Sequence, residues 1–236
     1  MRRGTFRFAP IAMVFFGLAG LFWPPPQIRS QETEVDLALV LAVDCSFSVD
    51  ANEFRLQMEG LGRAFMREDV KAAIHRGDRQ RIAVTAMQWS DEANQMVVLP
   101  WTIIAGGADA DEVGAVLARM PRRLAEGGTS ISTALVFGSA LFAAAPSAER
   151  RVIDVSSDGR NNIGPPVNAA RDRIVAQGIT INALAILNEW PTLDVYFENQ
   201  VAGGQAHFVI PANDYDAYAE AIYRKLLREI TGPGIS

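Results

Sequence analysis

The stretch LALVLAVDCSFSVD, residues 37–50, decides the fold that we predict for this chain. An apolar run ends abruptly in Asp44, and Ser46 and Ser48 follow at alternate positions. Nearly continuous apolar runs are typical of strands that are covered on both faces of a parallel sheet. The stretch therefore predicts a buried strand, residues 35–43, that leads directly into a polar turn.

A helix is predicted directly after this turn. Asp50 and Glu53 form a capping box, and Val49 and Phe54 form the accompanying hydrophobic staple. Apolar residues then recur at helical spacing, at Phe54, Met58, Leu61 and Phe65. A buried strand followed by such a helix is typical of the first unit of an α/β fold.

The remaining chain alternates strand-like and helix-like patterns. Further strands are predicted at residues 81–89, 95–101, 151–157, 179–187 and 207–210, and helices at residues 111–120, 131–145, 165–178, from 193 and 214–230. Helix 131–145 is almost wholly apolar and is expected to be central and buried. The link 90–94 is too short for a crossover helix, so strands two and three are predicted to be antiparallel neighbours. The pattern predicts a Rossmann-like α/β fold: an open, mostly parallel six-stranded sheet with one antiparallel edge strand and helices on both faces.

Residues 1–32 differ from the rest and are predicted to be an export signal or an N-terminal membrane anchor. Arg2, Arg3 and Arg7 precede an apolar run, residues 8–23, and prolines follow it. A basic start followed by a short apolar run is the layout of an export signal. We therefore expect a periplasmic or secreted protein, or one anchored to the inner membrane by residues 8–23, with a single domain at residues 33–232.

The charge of the predicted domain argues against a nucleic-acid partner. The chain has a formal net charge of −5, and removing residues 1–30, which hold four arginines and no acidic residue, takes it to −9. Proteins that bind nucleic acids neutralise phosphates with basic surfaces, which this composition does not offer. Contact with a membrane is expected only through the N-terminal segment. Cys45 is the only cysteine, which excludes an intrachain disulfide.

Polar side chains from three separate segments are predicted to meet at one edge of the sheet. Asp44, Ser46 and Ser48 follow the first strand, Asp158 ends the fourth, and Thr129 precedes the helix that leads into the fourth. Ligands of such sheets bind at the carboxyl ends of the strands, where the strand order reverses. Carboxylate and hydroxyl oxygens without histidine suit hard cations, so the sequence predicts a site for Mg²⁺, or for Mn²⁺ or Ca²⁺.

The sequence resembles the von Willebrand factor type A (VWA) domains. The motifs that carry the resemblance are similar to the metal-ion-dependent adhesion site (MIDAS) of that family: Asp44-Cys45-Ser46-Phe47-Ser48, Thr129 after two glycines, and Asp158-Gly159. The resemblance covers nearly the whole chain after residue 33. It is stronger still to a bacterial family of exported VWA-like proteins of unknown function, through the segments VDLALVLAVD, QWS, GGTSI, RRVIDVSSDG and GITINALAI.

The resemblance implies a role for each of these residues. Ser46, Ser48 and Thr129 would contact the ion through their hydroxyls, and Asp44 and Asp158 would act directly or through water. An acidic side chain of a partner protein, Asp or Glu, would fill the last coordination position. The implied function is therefore an exported, non-enzymatic, adhesion-type module. One departure from the family pattern is Phe47, since relatives often carry glycine between the two serines.

Two alternatives stay open at this point. The first is a Mg²⁺-dependent phosphoryl-transfer hydrolase with Asp44 as nucleophile, although Ser46 stands where a second acid is needed and neither Lys71 nor Lys225 is placed to balance a phosphate. The second is a VWA-like domain with a degenerate, metal-free site, which Phe47 favours by its bulk. A Ser-His-Asp hydrolase is disfavoured because no histidine lies near either serine cluster.

Several polar or basic segments are interpreted as solvated surface. They are the loops Trp89-Ser90-Asp91 and Asn161-Asn162, the basic stretch 119–123, and a basic loop that contains His75. Cys45 is expected to be a small buried residue whose thiol is not activated.

Overall fold

β1, Val35–Asp44, lies in the middle of the sheet in this computed structural model, which describes Met1 and residues 33–232. Within residues 33–232 the other strands are β2 Ile82–Trp89, β3 Gln95–Ile104, β4 Ala148–Ser157, β5 Thr180–Ile186 and β6 Val209–Ala212. The helices are α1 Ala51–Phe65, α2 Glu68–Arg76, α3 Gly107–Ala118, α4 Ile131–Leu141, α5 Val167–Val175, α6 Leu193–Tyr196 and α7 Tyr215–Thr231. The strand order is β3-β2-β1-β4-β5-β6. The chain therefore adds β2 and β3 on one side of β1 and then β4, β5 and β6 on the other side, which makes β1 the point where the strand order reverses.

All ten residues of β1 are buried because helices cover both faces of the sheet. Leu37, Leu39 and Leu41 point into a core formed with α1, α2, α3 and α7. Val40 and Ala42, on the opposite face, join a second core formed with α4, α5 and α6. This alternation of side chains along one strand explains why the first strand of the sequence is apolar at nearly every position.

The predicted fold class is confirmed. Every neighbouring pair of strands is parallel except β2 and β3, which are antiparallel and joined by a short link. The capping box is present at the start of α1: the Asp50 carboxylate accepts hydrogen bonds from the Asn52 and Glu53 backbone N–H groups, and Glu53 accepts one from the Asp50 N–H. Val49 and Phe54 are buried in the same core.

Two local predictions are wrong. His75 lies in the last turn of α2, not in a loop. Because this helix has only nine residues and three buried positions, its hydrophobic pattern is too short to predict a helix from the sequence. α4 ends at Leu141 and is not wholly buried, since Val136 is 48% exposed. The outer face of an apolar helix is therefore in contact with solvent here.

The predicted export signal or anchor, with its apolar run 8–23, lies outside the described residues. No helix within residues 33–232 is both long and apolar enough to cross a membrane.

Candidate metal centre

The Asp44 carboxylate, at the carboxyl end of β1, is completely buried. Its Oδ1 accepts a hydrogen bond of 2.6 Å from the Ser46 backbone N–H, and its Oδ2 accepts one from the Ser157 hydroxyl. Ser157 is the last residue of β4, the neighbouring strand. These bonds orient the carboxylate between the ends of the two central strands.

A chain of hydrogen bonds joins the loop after β1 to the loop after β4. The Ser46 and Ser48 hydroxyl oxygens lie 3.3 Å apart, and the Ser48 hydroxyl donates to Asp158 Oδ1 at 2.6 Å. The other carboxylate oxygen, Asp158 Oδ2, accepts a hydrogen bond of 2.9 Å from the Tyr215 hydroxyl at the start of α7. Four of the five predicted ligand residues are thus linked directly.

Thr129, the fifth, reaches the same place from the segment before α4. A β-carbon at Gly159 would lie 3.2 Å from the Thr129 hydroxyl oxygen, so the absence of a side chain at Gly159 leaves room for this hydroxyl next to the residue that follows Asp158. The Thr129 backbone N–H donates to Asn162 Oδ1 at 2.8 Å, and the Asn162 N–H donates to the Thr129 carbonyl at 2.9 Å. The structure therefore brings all five residues together; that they hold an ion stays a prediction.

Two buried carboxylates, Asp44 and Asp158, lie close enough in this site to affect each other's ionisation. Burial, followed by the negative charge of Asp158, raises the pKa of Asp44 to about 7. Burial also raises the pKa of Asp158, against the lowering effect of its hydrogen bonds from Ser48 and Tyr215, and the charge of Glu189 adds to the rise. Burial also raises the pKa of Glu53. A cation placed among these groups would stabilise their ionised forms.

The residues present fit a hard divalent cation. The donors are hydroxyl and carboxylate oxygens, which are the ligands that Mg²⁺ and Ca²⁺ prefer. Among the described residues, no group of three or more His, Cys, Asp or Glu side chains could hold a metal ion, so a zinc-type cluster is not an alternative for that part of the chain. Burial and the charge of Asp44 raise the pKa of the Cys45 thiol to about 12, which leaves this residue out of the chemistry.

Arg122 holds the loop between β1 and α1 in place, and its assignment to a solvated face is wrong. The guanidinium donates hydrogen bonds to three carbonyl oxygens of that loop: to Cys45 at 2.6 Å, Ser46 at 3.2 Å and Val49 at 2.8 Å. The segment that carries Arg122 is itself held by Gln88, whose side chain binds the Pro121 carbonyl and the Arg123 N–H. Arg122 therefore positions the loop that carries the serine hydroxyls, and its contact with Cys45 spans 77 residues of sequence.

We expect the Arg122→Ala variant to bind Mg²⁺ about 10-fold more weakly and to lose about 2–4 kcal/mol of stability. The alanine leaves three carbonyl groups without a charged donor, and such hydrogen bonds contribute roughly 1.5–3 kcal/mol each before relaxation. Calorimetric titration with Mg²⁺ and thermal unfolding measure the two effects. The neighbouring Arg123→Ala is the control because Arg123 is exposed; equal behaviour of the two variants would contradict the positioning role.

Two loops at this edge are more ordered than their polar sequences predict. Trp89 and Ser90 are completely buried, and the Ser90 carbonyl accepts a hydrogen bond from the Ser130 N–H. Asn161 accepts from the Ser132 N–H in the first turn of α4, as Asn162 does from Thr129. These contacts hold the Thr129 segment. The prediction of a solvated loop is wrong for Trp89 and Ser90, which are buried, whereas Asn162 is exposed as predicted.

An open pocket of about 510 Å³ lies next to the candidate ligands. Ser48 and Thr129 line it together with Phe47, Arg160 and Trp190. The Phe47 side chain is 76% exposed. Its ring therefore borders the pocket and does not lie buried over the ligand oxygens, which removes the main argument for a degenerate site.

Neither lysine is available for phosphoryl transfer at Asp44. Lys225 is completely buried between Asp154 and Glu229 in an ion-pair network, and Lys71 pairs with Glu68 and Asp111. The phosphoryl-transfer alternative therefore lacks a lysine beside the candidate nucleophile.

A protein family described as "Protein of unknown function (DUF1194)" matches residues 34–234 of the chain. No curated protein matches the chain.

Several solved structures have a similar fold. Proximal thread matrix protein 1 from the mussel byssus, solved with a zinc-occupied MIDAS motif, superposes with a TM-score of 0.65 and 16% identity over 84% of this chain and 48% of that one. BatB from Bacteroides thetaiotaomicron superposes with a TM-score of 0.56 and 16% identity over 83% of this chain and 100% of BatB. The vWF domain of the pilus tip protein Mfa5 from Porphyromonas gingivalis superposes with a TM-score of 0.55 and 12% identity over 86% of this chain and 98% of that domain. This chain spans about half the length of the mussel protein. At these identities the likeness shows the fold.

Proposed function

Because the chain belongs to the DUF1194 family and contains a VWA-like domain, we propose that it is a divalent-cation-dependent protein-binding module of the adhesion type and not an enzyme. Asp44, Ser46, Ser48, Thr129 and Asp158 would hold the cation, with Mg²⁺ as the first candidate. The bound cation would supply a positively charged position at the pocket for an Asp or Glu side chain of a partner protein.

The observation that carries this proposal is the link between the two loops. The Ser48 hydroxyl lies within hydrogen-bond distance of both the Ser46 hydroxyl and the Asp158 carboxylate, and Asp44 lies close enough for the charge of Asp158 to raise its pKa. Neutral hydroxyl ligands leave a cation with more of its charge than carboxylate ligands do. A cation held in this way would attract a further carboxylate, and that is the interaction a binding module needs.

Structures with a similar fold support this type of function. The mussel byssus protein holds zinc in a MIDAS motif, and Mfa5 is a pilus tip protein. The basic and apolar N-terminal residues further suggest that this module acts in the periplasm or outside the cell, secreted or anchored to the inner membrane by residues 8–23. Labelling of an introduced N-terminal or C-terminal tag in intact and permeabilised cells tests this location.

We expect Thr129→Val to weaken Mg²⁺ binding by about 10- to 100-fold while the fold is retained. Valine keeps the shape of threonine and removes the hydroxyl that lies next to Gly159, the residue after Asp158. Even outer-shell partners of a metal typically change its affinity by about 10–100-fold. Calorimetric titration of the full chain with Mg²⁺ and Mn²⁺ measures the effect, and Thr102→Val, on β3, provides the same chemical change away from the site.

The same titration can overturn the proposal. If the wild-type chain releases or absorbs no heat and shows no thermal stabilisation with either cation, the site is degenerate. If Thr129→Val and Thr102→Val titrate like the wild type, the cation binds elsewhere.

A further inference from the structure

The pocket beside the candidate metal centre is larger than one carboxylate requires. Its volume of about 510 Å³ falls within the roughly 300–1,000 Å³ that is usual for ligand pockets. Ser48 and Thr129, two of the candidate ligands, form part of its lining, and Arg160 and Trp190 form another part. The pocket therefore has room for a second group of the partner next to the one that would meet the cation.

Arg160 is held in a defined position at this pocket. Its guanidinium lies 5.0 Å from the centre of the Trp190 ring and 5.4 Å from that of the Tyr196 ring, and Nη2 donates a hydrogen bond of 3.0 Å to the Thr192 hydroxyl. A guanidinium stacked on aromatic rings loses less freedom when it binds a further group than an unrestrained side chain does.

No acidic side chain among residues 33–232 forms an ion pair with Arg160. Its Nε atom is buried and has no hydrogen-bond partner in the same part of the chain. The domain is acidic, so a stacked arginine that neutralises none of its own carboxylates is complementary to an anion from outside. The planar guanidinium binds carboxylates in a bidentate geometry.

Two exposed aromatic residues complete this surface. Phe47 is 76% exposed and Trp190 is 48% exposed, and both line the pocket. The Phe47 backbone N–H donates to the Gly127 carbonyl at 2.9 Å, which holds the residue at the rim. Arginine and aromatic side chains of this kind dominate the binding energy of many protein interfaces because they exclude water from the contacts next to them.

We propose that Arg160 is a second carboxylate anchor, and that the partner segment carries two acidic residues, one for the cation and one for Arg160. This inference rests on the function proposed above. Arg160 follows Asp158 by two residues, so their backbones are at most about 7 Å apart. In an extended peptide, side chains at alternate positions lie on the same face about 6.6–6.8 Å apart. The simplest partner motif with this spacing is acid-x-acid in an extended segment, and this is the motif that we test.

Three synthetic peptides with blocked ends, a fluorescent label and otherwise only glycine and serine test this motif against the full chain in saturating Mg²⁺. The first has one glutamate, the second has two in the order Glu-Ser-Glu, and the third has two glutamates separated by a long spacer and thus the same charge as the second. Fluorescence anisotropy gives the affinities. We expect the Glu-Ser-Glu peptide to bind about 10-fold more tightly than either of the others, as a charge-assisted hydrogen-bonded pair would provide.

The variant Arg160→Gln should remove this 10-fold preference and leave the affinity for the one-glutamate peptide and for Mg²⁺ within about threefold of the wild type. Arg76→Gln, at the exposed end of α2, removes the same charge elsewhere and should keep the preference. Thermal unfolding verifies that each variant is folded. Arg160→Lys, which keeps the charge without the planar fork, should retain only part of the preference.

Three results would overturn the second anchor: equal affinity of the wild type for all three peptides, a preference that survives in Arg160→Gln, or no binding of the Glu-Ser-Glu peptide. The proposed function fails separately, when Mg²⁺ titration of the wild-type chain without peptide shows no binding or when chelation of Mg²⁺ leaves peptide binding unchanged. The two failures are thus distinguishable.

Discussion

The Asp44→Asn variant is expected to bind Mg²⁺ at least about 100-fold more weakly than the wild-type chain and, without any divalent cation, to unfold at a higher temperature. The loss of affinity exceeds the roughly 10–100-fold expected for outer-shell groups because a charged oxygen ligand becomes a neutral amide. The gain in stability arises because one of two buried carboxylates near each other disappears.

The size of this gain follows from the pKa of Asp44. Burial and the charge of Asp158 raise it to about 7, so at about pH 8 the folded cation-free protein holds a charge that burial disfavours. Each unit by which the pKa of folded Asp44 exceeds its ordinary value of 3.8 corresponds to about 1.4 kcal/mol of lost stability. Removal of this carboxylate can therefore stabilise the cation-free protein by at most about 4 kcal/mol. Asparagine can still accept the Ser46 N–H bond and donate to the Ser157 hydroxyl, so we expect about 1–3 kcal/mol.

Thermal unfolding with chelator and with saturating Mg²⁺ measures both effects in one experiment. The wild type should gain stability from Mg²⁺, and Asp44→Asn should gain none. Asp78→Asn, in the exposed loop before β2, is the matched control and should respond as the wild type does. If Mg²⁺ stabilises Asp44→Asn as much as the wild type, Asp44 is not part of a cation site.

The position of the five candidate residues at one edge of the sheet could be predicted from the sequence because each of them lies next to the end of a predicted strand or the start of a predicted helix. Asp44 and Asp158 end apolar strands, and the carboxyl ends of neighbouring parallel strands lie at one edge of a sheet. The mostly parallel sheet follows from the alternation of strand and helix patterns, and the antiparallel pairing of β2 with β3 follows from the short link between them. None of these arguments needs knowledge of how distant side chains pack.

The supporting groups could not be predicted in this way. Tyr215 binds Asp158 across 57 residues of sequence, and Arg122 binds the Cys45 carbonyl across 77. Such contacts depend on how α7 and the segment before α4 pack against the sheet, which hydrophobic periodicity does not specify. A basic stretch such as residues 119–123 has the same composition whether its arginines face solvent or a buried loop.

The Lys225 ammonium group, buried under α7, illustrates the same limit far from the metal centre. It lies 2.7 Å from Asp154 Oδ2 on β4 and 2.7 Å from Glu229 Oε1 on its own helix. Asn182 on β5 also donates to Glu229 Oε1, and Arg150 on β4 donates to the Glu229 carbonyl. Burial, followed by the charge of Asp154, raises the pKa of Glu229 to about 8, and its Oε2 has no hydrogen-bond partner among the described residues. Burial and the neighbouring Asp154 carboxylate therefore favour the neutral form of Glu229, and the Lys225 ammonium group lies between the two carboxyl groups.

Replacement of Lys225 by methionine is expected to destabilise the protein by about 3–5 kcal/mol at about pH 7, because it leaves Asp154 buried without its cation. The loss should shrink as the pH falls through the raised pKa of Glu229, because protonation of this carboxyl removes its repulsion with Asp154. A raised folded pKa gives stability that is lost as pH rises, so the wild type itself should lose stability between about pH 4.5 and 8, and Glu229→Gln should flatten this decline. Denaturant unfolding across this range measures all three proteins.

A triple variant in which the three buried ionisable side chains are neutral, Asp154→Asn with Lys225→Met and Glu229→Gln, separates the effect of charge on stability from the effect of side-chain packing. If the loss in Lys225→Met comes from the uncompensated carboxylate, this variant should recover most of the stability, since replacing a whole buried ion pair by neutral groups is often tolerated. If the two variants are equally unstable at every pH, the aliphatic packing of Lys225 against its neighbours stabilises α7, and the charge does not. The comparison therefore decides whether an ion pair or a hydrophobic contact holds the last helix on the sheet.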